Sequence, residues 1–241
     1  MDTIYTNIQS SILRGDKLLS VLIDPDKMPL ANTANFISKL NQSVTTHIFV
    51  GGSTVEGNAT EVLVNEIKKH TNLPILLFPG DVNQITDKAD GLLFLSLISG
   101  RNPEYLIGKH VKSISKLAKT QLEVISTGYI LIEGGKETAV ERETNTKPLL
   151  INNIQKIIDT AKAGELLGMK LIYLEAGSGA KHPVAGDIIA KVKKEISIPI
   201  IVGGGIRTKQ QLDQAYKAGA DWVVIGTAFE EDESFFDELR S

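Results

Sequence analysis

Glu175 closes an apolar run, Leu171-Ile172-Tyr173-Leu174, and is followed at once by Ala176-Gly177-Ser178-Gly179. A carboxylate held beside bound substrate and screened from water can take a proton from a hydroxyl. Tyr173 shares its face of the strand and offers a phenol to the same substrate. A salt-bridged Glu175 and a core Tyr173 are the plainer alternatives. Further along, one apolar run stops at Gly203-Gly204-Gly205 and another at Gly226-Thr227. Glycines at strand ends let backbone N–H groups approach an anion closely, and a following helix N-terminus adds partial positive charge. The two junctions read together as a phosphate cradle, or separately as ordinary strand-turn-helix connections.

Asp24 ends a further apolar strand in Leu22-Ile23-Asp24-Pro25-Asp26-Lys27. An unpaired carboxylate there is costly, and Mg²⁺ is a natural partner because it accepts one or two carboxylates plus water and substrate phosphates. Ser53, behind Gly51-Gly52, can add a hydroxyl to the same shell. Asp24 can equally be a turn residue before Pro25. His47, His70, His110 and His182 are too scattered to form a metal cluster, and His182 reads as loop filler. Lys170 lies at the wrong end of its strand for Schiff-base chemistry. Arg207 either flanks the phosphate site or pairs with an acid.

These groups need a frame that brings strand ends together. Apolar runs fall at 18–24, 47–51, 75–79, 91–96, 122–132, 171–175, 200–203 and 222–226. Helical periodicity occupies 30–41, 56–70, 103–119, 149–167, 184–195, 209–218 and 232–239, and a helix over 3–14 precedes the first strand. Eight strands alternating with helices in 241 residues predict a single-domain (β/α)8 TIM barrel over 1–241, with the reacting groups at the carboxyl ends of the strands. Between the third and fourth strands only 81–90 is free, too short for a covering helix with two loops. The third helix is therefore expected to be missing or degenerate. The bare flank would serve as a packing surface for another subunit or as a groove for an apolar ligand. An open, doubly wound sheet is the alternative fold.

A net charge of −3 leaves no electrostatic footprint for nucleic acid. Cysteine is absent, which excludes disulfides and thiolate metal sites and suits a reducing cytosol. Residues 1–14 are too polar for a signal peptide, and no apolar run approaches the length of a membrane span. A cytoplasmic location is the expectation.

The ordered set Leu22-Ile23-Asp24-Pro25-Asp26-Lys27, Phe49-Val50-Gly51-Gly52-Ser53, Pro74-Ile75-Leu76-Leu77-Phe78-Pro79-Gly80, Ser99-Gly100-Arg101-Asn102-Pro103, Tyr173-Leu174-Glu175-Ala176-Gly177-Ser178-Gly179 and Val202-Gly203-Gly204-Gly205-Ile206-Arg207 resembles the geranylgeranylglyceryl phosphate synthase family, which includes bacterial heptaprenylglyceryl phosphate synthases. The glycine motifs are shared with many phosphate-binding barrels, and the combination is more specific. The resemblance runs from Leu18 to Ala228, and Gly128–Ile132 with the glycine pair after it looks most like the longer-chained sub-group.

The resemblance implies transfer of a prenyl group, geranylgeranyl in the first instance, from a prenyl diphosphate to the 3-hydroxyl of sn-glycerol 1-phosphate. Pyrophosphate is released, and the product belongs to ether-lipid type phospholipid metabolism. It implies Mg²⁺ at Asp24 and Ser53, and glycerol phosphate held by Tyr173, Leu174, Glu175, Ala176, Gly177, Ser178, Gly179, Gly204, Gly205, Gly226 and Thr227. Glu175 is then the base, with Tyr173 beside it. It further implies a barrel without its third helix; the exposed flank favours a homo-oligomer, and transient membrane contact for product release is a further expectation. Tyr105 is a candidate for limiting groove depth, or a plain packing residue. The charged run Glu141-Arg142-Glu143-Thr144-Asn145-Thr146 is unusual for a loop of this family and leaves the lid contacts open. Competing readings are a phosphate-binding barrel of the tryptophan synthase α-subunit or histidine-pathway cyclase type, and a non-catalytic phosphoglycerol-binding protein.

Overall fold

Parallel strands covered on both faces need continuous apolar runs rather than alternation with polar residues, and every such run in this chain is a strand. The computed structural model, which describes residues 3–240, has β1 (Leu18–Ile23), β2 (His47–Val50), β3 (Ile75–Leu77), β4 (Gly91–Leu97), β5 (Glu123–Leu131), β6 (Leu171–Glu175), β7 (Ile200–Gly203) and β8 (Trp222–Ile225). They close into one parallel barrel in chain order, with β8 paired to β1 through Leu18↔Trp222 and Val21↔Ile225. The open sheet is thereby excluded.

The two-residue side-chain period divides each strand between two cores. Phe49, Leu93, Tyr129, Tyr173, Ile201 and Trp222 fill the barrel interior. Ile48, Val50, Ile172, Leu174, Val202 and Val223 pack outward beneath the helices. The interior is an aromatic pile. Trp222 meets His47 at 4.6 Å and Phe49 at 5.1 Å, Phe49 stacks on Phe78 at 6.0 Å, and Phe78 meets Tyr173 at 5.4 Å. At its lower end the Trp222 indole N–H donates to Ser20 Oγ at 2.7 Å, which satisfies the one polar atom of that side chain.

The helices are α1 (Ile4–Leu13), α2 (Leu30–Leu40), α3 (Ala59–Ile67), α4 (Lys109–Leu117), α5 (Ala139–Thr144), α6 (Ile154–Leu166), α7 (Gly186–Glu195), α8 (Lys209–Ala218), α9 (Thr227–Glu231) and α10 (Phe235–Glu238). The Glu123 carboxylate accepts the Tyr5 N–H at 3.0 Å, which seats the start of α1 on the barrel floor. Between β3 and β4 stands only a three-residue 3-10 turn, Val82–Gln84, where the sequence leaves no room for a helix.

Three departures from the sequence reading have local reasons, and the helix expected at 232–239 is instead the short α10, preceded by α9. The expected helix at 149–167 starts only at Ile154, because Leu149 first forms a parallel bridge with Ile132. The expected helix at 103–119 opens as a π-helical turn, Glu104–Gly108, before α4. The charged run after β5 is the helix α5. Its N-cap Thr138 and Glu141 form a reciprocal capping box, and Asn145 ends it at φ +47°.

Candidate active site

β6 ends with Tyr173 and Glu175 on the inward face, so both reach the mouth of the barrel. Glu175 is only 6% exposed. The Gly177 N–H donates to its Oε1 at 2.6 Å, and no lysine, arginine or histidine pairs with it among the described residues. Burial raises its pKa from 4.5 to about 7, opposed by the Gly177 N–H and the Tyr173 phenol. A carboxylate poised near neutrality is what a general base requires. The salt-bridged alternative does not hold. Tyr173 stays protonated because burial, and then the neighbouring Glu175 charge, push its pKa well up.

β7 supplies the wall facing this carboxylate. Gly204 sits at φ +83°, and a Cβ there would run into Glu175 Oε1 and come within 2.7 Å of the Gly177 nitrogen. A side chain is excluded by both backbone and space, so the main chain itself lines the site. Ser178 Oγ lies 3.1 Å from Thr227 Oγ1, joining the β6 loop to the end of β8. Gly205, Gly226 and Thr227 complete this rim. Arg207 braces it from behind, donating to the Ala180 carbonyl at 2.8 Å, with Glu231 3.6 Å away. Lys136 Nζ lies 2.7 Å from where a Gly179 Cβ would stand, which puts an exposed ammonium at the edge of the cradle.

Across the mouth, Asp24 Oδ1 accepts the Asp26 N–H at 3.1 Å, so the turn role is real. Oδ2 has a loose contact with Lys27 at 3.6 Å, and Lys27 prefers Glu230 at 2.9 Å. A Cβ on Gly52 would come within 3.0 Å of Asp24 Oδ1, so this glycine keeps the carboxylate approachable from the β2 side, where Ser53 follows. No cluster of three or more His, Asp or Glu side chains stands here among the described residues. The donor set is one carboxylate, one hydroxyl and space. That fits Mg²⁺, which completes its shell with water and phosphate oxygens.

One cavity of about 390 Å³ joins these parts. It touches Asp24, Ser53, Tyr173, Glu175, Ser178, Gly179, Gly204, Gly205, Gly226 and Thr227 at its polar end. It then runs along Phe94, His110 and Ser113 into the flank where the third helix is missing. Leu174 and Ala176, expected to contact ligand, do not line it. Leu174 points outward into the layer beneath the helices, as does Ala176, because alternate strand residues face opposite ways. Gly177 acts through its N–H on Glu175 rather than as cavity wall.

Like His110 and Ser113 further along the chain, Tyr105 lines the cavity. Its hydroxyl donates to the Glu143 carbonyl on α5 at 3.0 Å, Lys109 lies 4.4 Å over its ring, and the cavity continues past it. α5 is thus tied across the mouth to the start of α4, and Asn102 donates to Thr144 O at 2.8 Å beside it. His182 is exposed and does not line this cavity. Sequence reading missed Phe78, Tyr129, Lys109 and Lys136. Tyr129 joins the site because β5 pairs with β6 in the register that sets it beside Tyr173.

Comparison with known proteins places this geometry. The family model described as the PcrB family matches residues 12–240. A relative from Flavobacterium johnsoniae named geranylgeranylglyceryl phosphate synthase is 55% identical over 98% of each chain. The crystal structure of (S)-3-O-geranylgeranylglyceryl phosphate synthase from Thermoplasma acidophilum, in complex with its substrate sn-glycerol-1-phosphate, superimposes with a TM-score of 0.92 at 32% identity, covering 99% of this chain and 96% of that one. The tryptophan synthase α-subunit of Pyrococcus furiosus reaches 0.59 at 15% identity over 92% and 97% of the two chains, a likeness of fold alone.

Proposed function

Since the chain belongs to the PcrB family, whose matched relatives are geranylgeranylglyceryl phosphate synthases, we propose that it transfers a prenyl group from a prenyl diphosphate to the 3-hydroxyl of sn-glycerol 1-phosphate. Geranylgeranyl diphosphate is the proposed donor. One observation carries the reading. A buried carboxylate with no cationic partner stands where a glycine-walled polar rim meets a long apolar cavity.

The acceptor's phosphate would sit against the main chain of Gly204, Gly205 and Gly226, with the Ser178 and Thr227 hydroxyls and the Lys136 ammonium at its edge. Its 3-hydroxyl then lies toward Glu175 and the Tyr173 phenol. As the new oxygen–carbon bond forms at C1 of the prenyl chain, Glu175 takes the hydroxyl proton, and the C1–oxygen bond to diphosphate breaks. Lys27, at the cavity edge beside Asp24, and Lys109 place positive charge near the departing diphosphate. Asp24 and Ser53 are proposed to hold Mg²⁺, which when bound neutralises the diphosphate and makes it a better leaving group. Fixing both substrates makes most of the acceleration a matter of position and electrostatics. The prenyl tail lies along the apolar flank, where each buried methylene is worth about 0.8 kcal/mol.

No helix among the described residues is long and apolar enough to cross a membrane. Association into a homo-oligomer belongs to the same reading, and Leu13, Leu166 and Leu167, 87%, 77% and 77% exposed at the end of the barrel away from the mouth, are surface for it.

The test is incubation with sn-glycerol 1-phosphate, Mg²⁺ and a ladder of prenyl diphosphates, followed by mass analysis of the organic phase. A prenylglyceryl phosphate in that phase is the expected result. Its absence with every donor, while the protein remains folded, refutes the proposal.

A further inference from the structure

The helix that walls the apolar groove carries two ranks of side chains that the proposed reaction does not use. Ile107, Val111 and Ile114 are spaced i, i+4 and i+7 and therefore share one stripe. They are 59%, 66% and 55% exposed, far more than apolar residues of a packed barrel helix. Lys112, Lys116 and Lys119 repeat the spacing five residues on, about 140° around the helix. The buried side, with His110 and Ser113, faces the groove.

This helix also stands apart. On one side the third helix is replaced by the short turn at Val82–Gln84, whose Val82 and Asn83 carbonyls accept from Lys116 Nζ at 3.3 and 3.2 Å. On the other side α6 barely touches it. The stretch 104–119 holds four lysines against one glutamate in a chain of net charge −3. Lys112 pairs with Glu104 at 2.6 Å and Lys109 with Asp81 at 3.0 Å, leaving Lys116 and Lys119 without an acidic partner among the described residues. An apolar stripe beside a basic stripe is the pattern of a helix that lies in a membrane interface.

We propose that this face of α4 docks the protein on an anionic lipid surface. Ile107, Val111 and Ile114 enter the boundary of the acyl layer, and Lys112 and Lys119 reach headgroup phosphates. The proposal rests on the reading that the groove takes a prenyl chain, because docking there would bring the groove wall to the bilayer in which such a chain dissolves. A second copy of the chain fits the face less well. A two-fold contact sets the same net-positive patch against itself, whereas headgroups supply the opposite charge.

The experiment is flotation of the whole protein with vesicles of phosphatidylcholine alone and of phosphatidylcholine with phosphatidylglycerol. Wild type floats with the anionic vesicles and stays behind with the neutral ones, and added salt releases it. The Val111→Asp/Ile114→Asp pair stays behind with both. Lys112→Gln and Lys119→Gln each lower partitioning about fivefold. All four positions are exposed and lie outside the cavity wall, so melting temperature and turnover of a short, soluble prenyl diphosphate stay at wild-type values. That control separates the two readings: a wild type inactive on the soluble donor refutes the transferase, while flotation judges the surface by itself. The docking proposal is overturned if wild type does not float, if the double aspartate variant floats like wild type, or if wild type sediments as a dimer that Val111→Asp dissociates.

Discussion

Replacing Glu175 with glutamine removes one charge and leaves the shape almost unchanged. The amide oxygen can still accept from the Gly177 N–H, which donates to Glu175 Oε1 in the wild type. Burial lifts the carboxyl from 4.5 to about 7, so the folded protein holds this proton more tightly than the unfolded chain does. At about 1.4 kcal/mol per pH unit, ionising Glu175 in place costs about 3 kcal/mol more than ionising it in the unfolded chain. The wild type therefore keeps its full stability below the unfolded value of 4.5 and loses it as pH rises through about 7. Glutamine carries no such loss. Urea unfolding at about pH 8 should find the variant more stable by about 3 kcal/mol, and at about pH 5 the two should agree within about 1 kcal/mol. Turnover in the same variant should fall by about 10²–10⁴, because an amide cannot take the acceptor's proton, while glycerol phosphate still binds. A stability gap that does not change with pH refutes the burial argument. Unchanged turnover removes Glu175 as the base.

Asp24→Asn should raise the Mg²⁺ concentration needed for half-maximal rate and weaken the prenyl diphosphate with it; titration of the metal checks this, and a wild-type curve withdraws the assignment. Gly204→Ala should lower stability by about 1–3 kcal/mol, the usual cost of forcing a side chain into a left-handed backbone, and raise KM for glycerol phosphate, because the new methyl displaces the Glu175 carboxylate. A variant with wild-type melting and kinetics would show that the wall of the site is not as drawn. Ser113→Leu fills the cavity two turns of α4 beyond Tyr105, at a residue only 2% exposed. It should shorten the longest donor accepted, at about fourfold in KM for each methylene turned out of the groove. An unchanged donor profile would mean that the tail lies elsewhere.

The strands were legible because a strand covered on both faces can hardly avoid a continuous apolar run, and the missing helix showed as a gap too short to contain one. Glu175 stood out as a carboxylate ending such a run. The same two-residue period that put Tyr173 beside it also turns the Leu174 and Ala176 side chains away from the cavity, so only their main chain is left to face it. Thr138 and Glu141 carried a capping-box signature that the surrounding charges obscured, which is why α5 went unread. Other features depend on contacts between distant parts of the chain. Tyr129 reaches the site only through the pairing of β5 with β6, and Lys109 only through the seating of α4 on Asp81, at 3.0 Å, and on the Gly80 carbonyl, at 3.2 Å.

Losing a barrel helix exposes apolar wall and frees the loops that helix would have held. The chain meets the second difficulty with one side chain. Gln84 is buried in the replacing turn, its amide donates to the Gly52 carbonyl at 2.8 Å, and its oxygen accepts the Gly52 and Gly80 N–H groups at 3.3 Å each. A Cβ at Gly80 would press on the Gly52 and Ser53 carbonyl oxygens at 2.5 Å, so the β2 and β3 ends lock together without a helix above them. The β2 and β3 ends beside Ser53 are thereby tied together, while the cavity next to them is lined by Phe94, His110 and Ser113. On the proposed reading, a prenyl tail lying in that flank would supply the apolar cover the absent helix would have given, so that binding the donor and covering the exposed wall would be one event.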